Sequence, residues 1–141
     1  MPETAPTPDP DTWEYLLHIP HDPRAVPFCR RSVRLILTLH GLIRLVDTAE
    51  LLVAELVSNA VLHTKGPAAL RVWRTPWGTV WLGAWDADPV PPVLPLTLVD
   101  LAGEAGRGLG LVRTYADQWG WQPSGRLGAD GKYVWCELAA A

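Results

Sequence analysis

The sequence predicts an α+β domain with helices layered on one face of a mostly antiparallel sheet. Two observations carry this. Helical and extended patterns are segregated along the chain, with two amphipathic helical segments first and two β-hairpin patterns later, the arrangement of an α+β layer rather than of alternating βαβ units. The chain has 141 residues, of which 48% are hydrophobic and 19% charged, enough for one well-buried core and too short for two.

The elements follow in order. Residues 1–12 hold Pro2, Pro6, Pro8 and Pro10 without a helical or strand period, which predicts a flexible leader ahead of a domain over residues 13–141. Trp13–Ile19 alternates weakly and predicts an edge strand stopped by Pro20. From Pro27 to about Leu42, Phe28, Val33, Leu35, Ile36, Leu39 and Leu42 recur at helical spacing, with Arg30, Arg31 and Arg34 between them. Asp47, three residues before Glu50, is expected to cap a second helix, whose apolar stripe is Leu52, Val53, Leu56, Val57, Ala60 and Val61. That helix should stop near Lys65, because Gly66-Pro67 cannot continue it.

Ala69–Arg74 and Thr79–Trp85 flank the turn signal Thr75-Pro76-Trp77-Gly78 and predict an antiparallel hairpin. Its register, and so the facing of Trp73, Trp81 and Trp85, is left open, since a slip of one residue reverses every side chain. Asp86 to Ala105 contains Pro89, Pro91, Pro92 and Pro95 and no sustained period, which predicts a long loop. Gly106-Arg107-Gly108-Leu109-Gly110 then leads into a short helix expected to run to about Trp119. The runs Gly120–Gln122 and Lys132–Leu138, either side of a turn-rich Pro123–Gly131, predict a second hairpin.

Composition narrows the function. Lys plus Arg number 12 against 15 Asp plus Glu, a formal charge of −3, which leaves no cationic surface suited to a phosphate backbone, so nucleic acid is not an expected partner. Apolar runs fall far short of the ~20 residues that cross a bilayer, and the acidic N-terminus does not read as a signal peptide, so the expected setting is cytoplasmic with no membrane contact. Cys29 and Cys136 are isolated and are expected as buried thiols, not as a disulfide or zinc site. Most of the eight tryptophans are expected in the core.

Three groups carry candidate chemistry. Glu55, Asn59 and His63 are spaced four apart and share one face of the second helix. A carboxylate there can orient a water or hydroxyl, and an amide oxygen can serve a hard cation such as Mg²⁺. The glycine segment, with Arg107 beside it, lets backbone N–H groups approach phosphate oxygens at a helix N-terminus. It is neither a P-loop nor the dinucleotide fingerprint, because no GK[ST] follows and Leu111 replaces the last glycine. Asp86, ending a β-run, can accept from an exocyclic amine or simply begin a turn.

Taken in order, Glu55-Leu56-Val57-Ser58-Asn59-Ala60-Val61-Leu62-His63, Asp86-Ala87-Asp88-Pro89, Gly106-Arg107-Gly108-Leu109-Gly110-Leu111-Val112 and Gly131-Lys132-Tyr133-Val134-Trp135-Cys136-Glu137-Leu138 resemble the small actinobacterial ATP-binding regulators of the GHKL superfamily. These are similar to the anti-sigma factor serine kinases of partner-switching systems. Over about residues 24–139 the resemblance implies a two-layer α+β sandwich of the Bergerat type that binds ATP and Mg²⁺. It implies Asn59 as the Mg²⁺ ligand, Glu55 as the catalytic base, and Asp86 as acceptor from the adenine amino group. The backbone of Gly106, Arg107, Gly108, Leu109 and Gly110 would cradle the phosphates beneath residues 87–105, with Lys132 near the nucleotide. His63 is expected to cap or pack, and an exposed turn lysine is the plainer reading of Lys132.

The resemblance further implies a kinase that phosphorylates a serine on an anti-sigma antagonist, binds a sigma factor and pairs as a homodimer. The sequence departs from the superfamily at Ala87-Asp88-Pro89, where relatives carry glycines, and at Tyr133, where they commonly carry threonine. These departures and the tryptophan content motivate the alternative, a catalytically degenerate protein-interaction module of the same fold with weak or no nucleotide binding.

Overall fold

A computed structural model describes residues 12–62, 64, 66–90, 118–126 and 129–139. Strand β1 (Trp13–Ile19) leads into helix α1 (Ala25–Leu39), a 3-10 turn (Ile43–Leu45) and helix α2 (Val46–Leu62). Strands β2 (Ala68–Arg74), β3 (Thr79–Asp86), β4 (Gln118–Arg126) and β5 (Ala129–Ala139) follow. The strands form one five-stranded sheet in the order β1-β2-β3-β5-β4, every neighbouring pair antiparallel. The α+β architecture expected from the sequence is therefore present.

Local chemistry sets the boundaries. Helix α1 ends at Leu39, and two residues on Gly41 turns the chain away with a φ of 76°, which suits a residue without a Cβ. Around it the Leu42 N–H donates to the Leu37 carbonyl and the Gly41 N–H to the Thr38 carbonyl, the paired bonds that close a helix C-terminus. Helix α2 begins at Val46, directly after the 3-10 turn, so Asp47 lies inside the first turn and is not the cap. There it meets Arg34 of α1 at 3.3 Å, and the helix ends at Leu62, earlier than the glycine-proline signal implied. Between β2 and β3 the Thr75 N–H donates to the Thr79 carbonyl at 2.9 Å and the Gly78 N–H to the Thr75 carbonyl at 3.1 Å, closing the expected hairpin.

The core lies between the helices and one sheet face. Cys29, Val33, Ile36 and Leu37 of α1 and Leu52, Val53, Leu56, Val57, Ala60 and Val61 of α2 form one buried cluster with Leu70, Val72, Val80, Leu82, Ala84, Val134, Cys136 and Leu138. The register pairs Trp73 with Trp81 and Ala69 with Trp85, which puts Trp73, Trp81 and Trp85 on the face away from the helices. There Trp81 stacks on Trp135 at 5.5 Å and meets Trp73 edge-on at 6.0 Å, while the Arg71 guanidinium lies 4.3 Å from the Trp73 ring centroid. Trp85 alone of the eight tryptophans is fully buried, while Trp13, Trp119 and Trp121 pack half-buried against the main core and Trp135 against the Trp85 cluster, so most of the tryptophans join a core, chiefly at its margin. An antiparallel sheet leaves one face outside the main core, and here that face is aromatic where it is usually polar.

Two further expectations change. Gln118 and Trp119 belong to β4, so no helix after the glycine segment reaches Trp119. The turn-rich Pro123–Gly131 is mostly strand, because β4 pairs with β5 from Gln118↔Glu137 to Arg126↔Ala129. The leader, apart from Thr12, and the loop beyond Val90 lie outside the described residues. No described helix is long and apolar enough to cross a membrane.

Both cysteines are buried, and desolvation pushes the Cys29 thiol up to about 11 and the Cys136 thiol up to about 12. Neither is expected to react with an aromatic disulfide reagent in the native protein at mildly alkaline pH, and both should react in urea. A native thiol that titrates at the unfolded rate would contradict this burial.

Candidate functional site

Helix α2 presents Glu55 and Asn59 one turn apart on the edge of its apolar stripe, and both are half-buried. Desolvation raises the Glu55 carboxyl above its ordinary value, which moves a carboxylate toward the range of a general base. The stripe itself packs on β3, whose last residue is Asp86. Asp86 points to the helix-bearing face, in step with Val80, Leu82 and Ala84.

The register sets Asp86 directly across from Lys132 of β5. Their side chains are 1% and 4% exposed, and the Lys132 ammonium donates to Asp86 Oδ1 at 2.9 Å. The same Oδ1 accepts from the Asp88 N–H at 2.9 Å, and Lys132 also donates to the Asp88 carbonyl at 2.9 Å. Asp86 Oδ2 is buried and has no hydrogen-bond partner among the described residues. Burial raises the Asp86 carboxyl above its usual range, outweighing the lowering by Lys132 and the Asp88 amide. A buried acceptor without a donor costs free energy, so a ligand donor at Oδ2 would be favoured.

The backbone around this carboxylate is closely packed. A Cβ at Gly131 would stand 2.0 Å from the Asp86 carbonyl oxygen and 2.8 Å from the Trp85 ring. One at Gly66 would stand 2.6 Å from the Ala87 Cβ, so the chain leaving α2 runs against the start of the loop after β3. Thr64 ties that exit down: its hydroxyl donates to the Ala60 carbonyl, and its own carbonyl meets the His21 ring.

The structure thus joins two residues that the sequence treated separately. Lys132 is a buried strand residue in an ion pair, not an exposed turn lysine. No hydrogen bond links Glu55 or Asn59 to this pair among the described contacts, and the two groups are related only through the packing of α2 on β3. His63 and Gly106, Arg107, Gly108, Leu109 and Gly110 lie outside the described residues. Among the described residues no three His, Cys, Asp or Glu side chains are grouped to hold a metal ion.

An open groove of about 730 Å³ lies elsewhere, lined by Pro27, Arg30, Arg31, Arg34, Leu35 and Thr38 of α1 and Glu50 of α2. None of the site residues lines it. Arg34 is ion-paired to Glu50, and Arg30 stands 3.6 Å from the same carboxylate.

No protein-family model matches the chain. An uncharacterized protein of Streptomyces coelicolor is 39% identical to it over 74 residues, which make up 52% of this chain and 66% of that relative. The match therefore spans just under two thirds of the relative's length.

Proposed function

We propose that the chain is an ATP- and Mg²⁺-dependent regulator of the anti-sigma factor serine kinase type, built on a Bergerat-type ATP-binding fold. The observation that carries this reading is the buried Asp86 carboxylate, whose Oδ1 is fixed by Lys132 and the Asp88 amide while Oδ2 meets no donor among the described residues. An adenine amino group is a donor of the kind that Oδ2 lacks. Lys132 would set the orientation of the carboxylate, as a partner on one oxygen leaves only the other for the base.

Helix α2 supplies the remaining roles. The Asn59 side-chain oxygen suits Mg²⁺, which takes oxygen ligands and keeps several from phosphates and water. With no carboxylate cluster among the described residues, such an ion would be held largely by the phosphates it accompanies. Its chemistry would be to neutralise charge on the transferred phosphoryl group. Glu55, with its raised proton affinity, would accept the proton of an acceptor serine or of water. The protein substrate would be an anti-sigma antagonist and the sequestered partner a sigma factor.

Calorimetric titration with ATP, with and without Mg²⁺, tests this reading. Binding is expected to require Mg²⁺ in large part, and Asn59→Ala should remove the Mg²⁺-dependent component. Glu55→Ala should leave ATP affinity within about threefold while abolishing transfer, because a base acts in the transition state. Absence of ATP binding at millimolar nucleotide, or full binding in Asn59→Ala, would defeat the proposal. The Asp86–Lys132 pair favours a second reading in that case: the carboxylate is then a structural element of a protein-interaction module.

A further inference from the structure

We infer that the groove between α1 and α2 docks a helical segment of a protein partner that presents a carboxylate between large apolar side chains. Helix α1 carries Arg30, Arg31 and Arg34 and no acidic residue, so none of these guanidiniums has a counter-charge on its own helix. Arg30 and Arg34 turn across the groove to Glu50 of α2, and Arg34 also reaches Asp47 at 3.3 Å. Arg31 lines the same groove, is exposed, and meets no carboxylate among the described residues. Three guanidiniums therefore face two carboxylates, and the surplus positive charge stands at Arg31, in a chain whose formal net charge is −3. An acidic partner is the complement of that charge.

The surroundings of Arg31 select the kind of segment. Leu35, one turn after it, is 58% exposed, and Phe28, one turn before it, is 54% exposed, so the unpaired cation sits between two apolar side chains. The wall of the groove on α1 runs from Pro27 to Thr38, about three helical turns or ~17 Å long. A helix laid along such a wall meets it through residues at i, i+3, i+4 and i+7, which sets an acidic side chain between apolar ones on a single face. Glu50, only 12% exposed, holds Arg30 and Arg34 across the groove, so its polar side is formed before a partner arrives.

Other ligands fit less of this surface. A nucleic-acid strand would bring its phosphates against Glu50 and Asp47, and a small anion would leave Leu35 and Phe28 uncovered. A purely apolar partner would bury the Arg31 charge without a counter-charge. The inference does not rest on the nucleotide reading, since no residue of the Asp86 site lines the groove, and its test contains no nucleotide.

Panning a random peptide display library against the full chain tests it, followed by fluorescence anisotropy on one enriched peptide. Enriched peptides are expected to carry Asp or Glu within one helical turn of Leu, Ile or Phe. Arg31→Glu should weaken binding at least ~10-fold, whereas Arg31→Lys, which keeps the charge, should weaken it by about threefold or less. Leu35→Gln should weaken it several-fold through the lost apolar contact. Both positions are exposed and the new residues favour a helix, so circular dichroism should be unchanged in all three variants. Trp77→Glu, at a 70% exposed position on the β2–β3 turn, should leave the affinity as it is. Enrichment of basic or uncharged peptides, no enrichment, or full affinity in either Arg31→Glu or Leu35→Gln would each overturn the inference. Displacement of the peptide by millimolar inorganic phosphate at constant ionic strength would overturn it too, in favour of a small-anion site.

Discussion

Lys132→Met is expected to destabilise the fold by about 3–5 kcal/mol near neutral pH, since it leaves a buried carboxylate without its counter-charge. The loss should shrink on acidification. In the parent, burial already raises the Asp86 carboxyl above its ordinary value, so the folded state binds a proton more readily than the unfolded chain does. Such a group adds stability as pH falls through the folded value and withdraws it as pH rises. Lys132 is one of the influences that hold this value down, so its removal moves the folded value higher and widens the window. Urea unfolding at about pH 7 and about pH 5 should therefore give a larger difference between variant and parent at the higher pH. Equal losses at the two pH values would show that Asp86 is not the charge left exposed by the substitution. Asp86→Asn in the Lys132→Met background should remove the extra pH dependence.

The second large effect is expected at Trp85. Its side chain is 0% exposed on the sheet face away from the helices, in a small cluster with Ala69 and Tyr133. Its indole N–H donates to the Ser124 carbonyl at 2.8 Å, which ties β3 to β4 across the intervening β5. Trp85→Ala should cost about 3–5 kcal/mol through lost burial and the cavity left behind. The Ser124 carbonyl also loses this donor. Trp85→Phe should cost less, because it keeps much of the buried area and loses mainly the hydrogen bond. Thermal unfolding should separate the parent from the alanine variant by on the order of 10 °C. A drop in the alanine variant no greater than that in the phenylalanine variant would mean that packing around this ring contributes little.

Much of the architecture was legible because it rests on period and turn chemistry. The bounds of β1, the hairpin around Thr75-Pro76-Trp77-Gly78 and the apolar stripe of α2 follow from alternation, a turn signal and helical spacing. The start of α2 was misread because Asp47 and Glu50 have capping spacing, whereas their carboxylates instead meet arginines of α1. The extent of the second hairpin was hidden by Pro123, Ser124 and Gly125, residues of low strand propensity that β5 nevertheless pairs with. Facing of the tryptophans was not decidable, since alternation fixes which residues share a face but not which face meets the helices.

At the site, Glu55 and Asn59 were legible from spacing along one helix. The tie between Asp86 and Lys132 was not, because it depends on the β3–β5 register, which joins residues 46 apart. Neither residue carries a local signal of that pairing.

The same strand order divides the contacts of the sheet into local and non-local ones. The β2–β3 hairpin closes over a few residues, and α1 and α2 are neighbours in the chain, so these contacts carry a small loop-closure entropy. Strand β3 can complete its other side only when β5 arrives from 46 residues away at the nearest pair, a non-local contact that forms slowly. The Asp86 carboxylate thus receives its lysine through a long-range pairing, as β1 receives β2, so the proposed binding site is built by non-local sheet closure and not by the local hairpin.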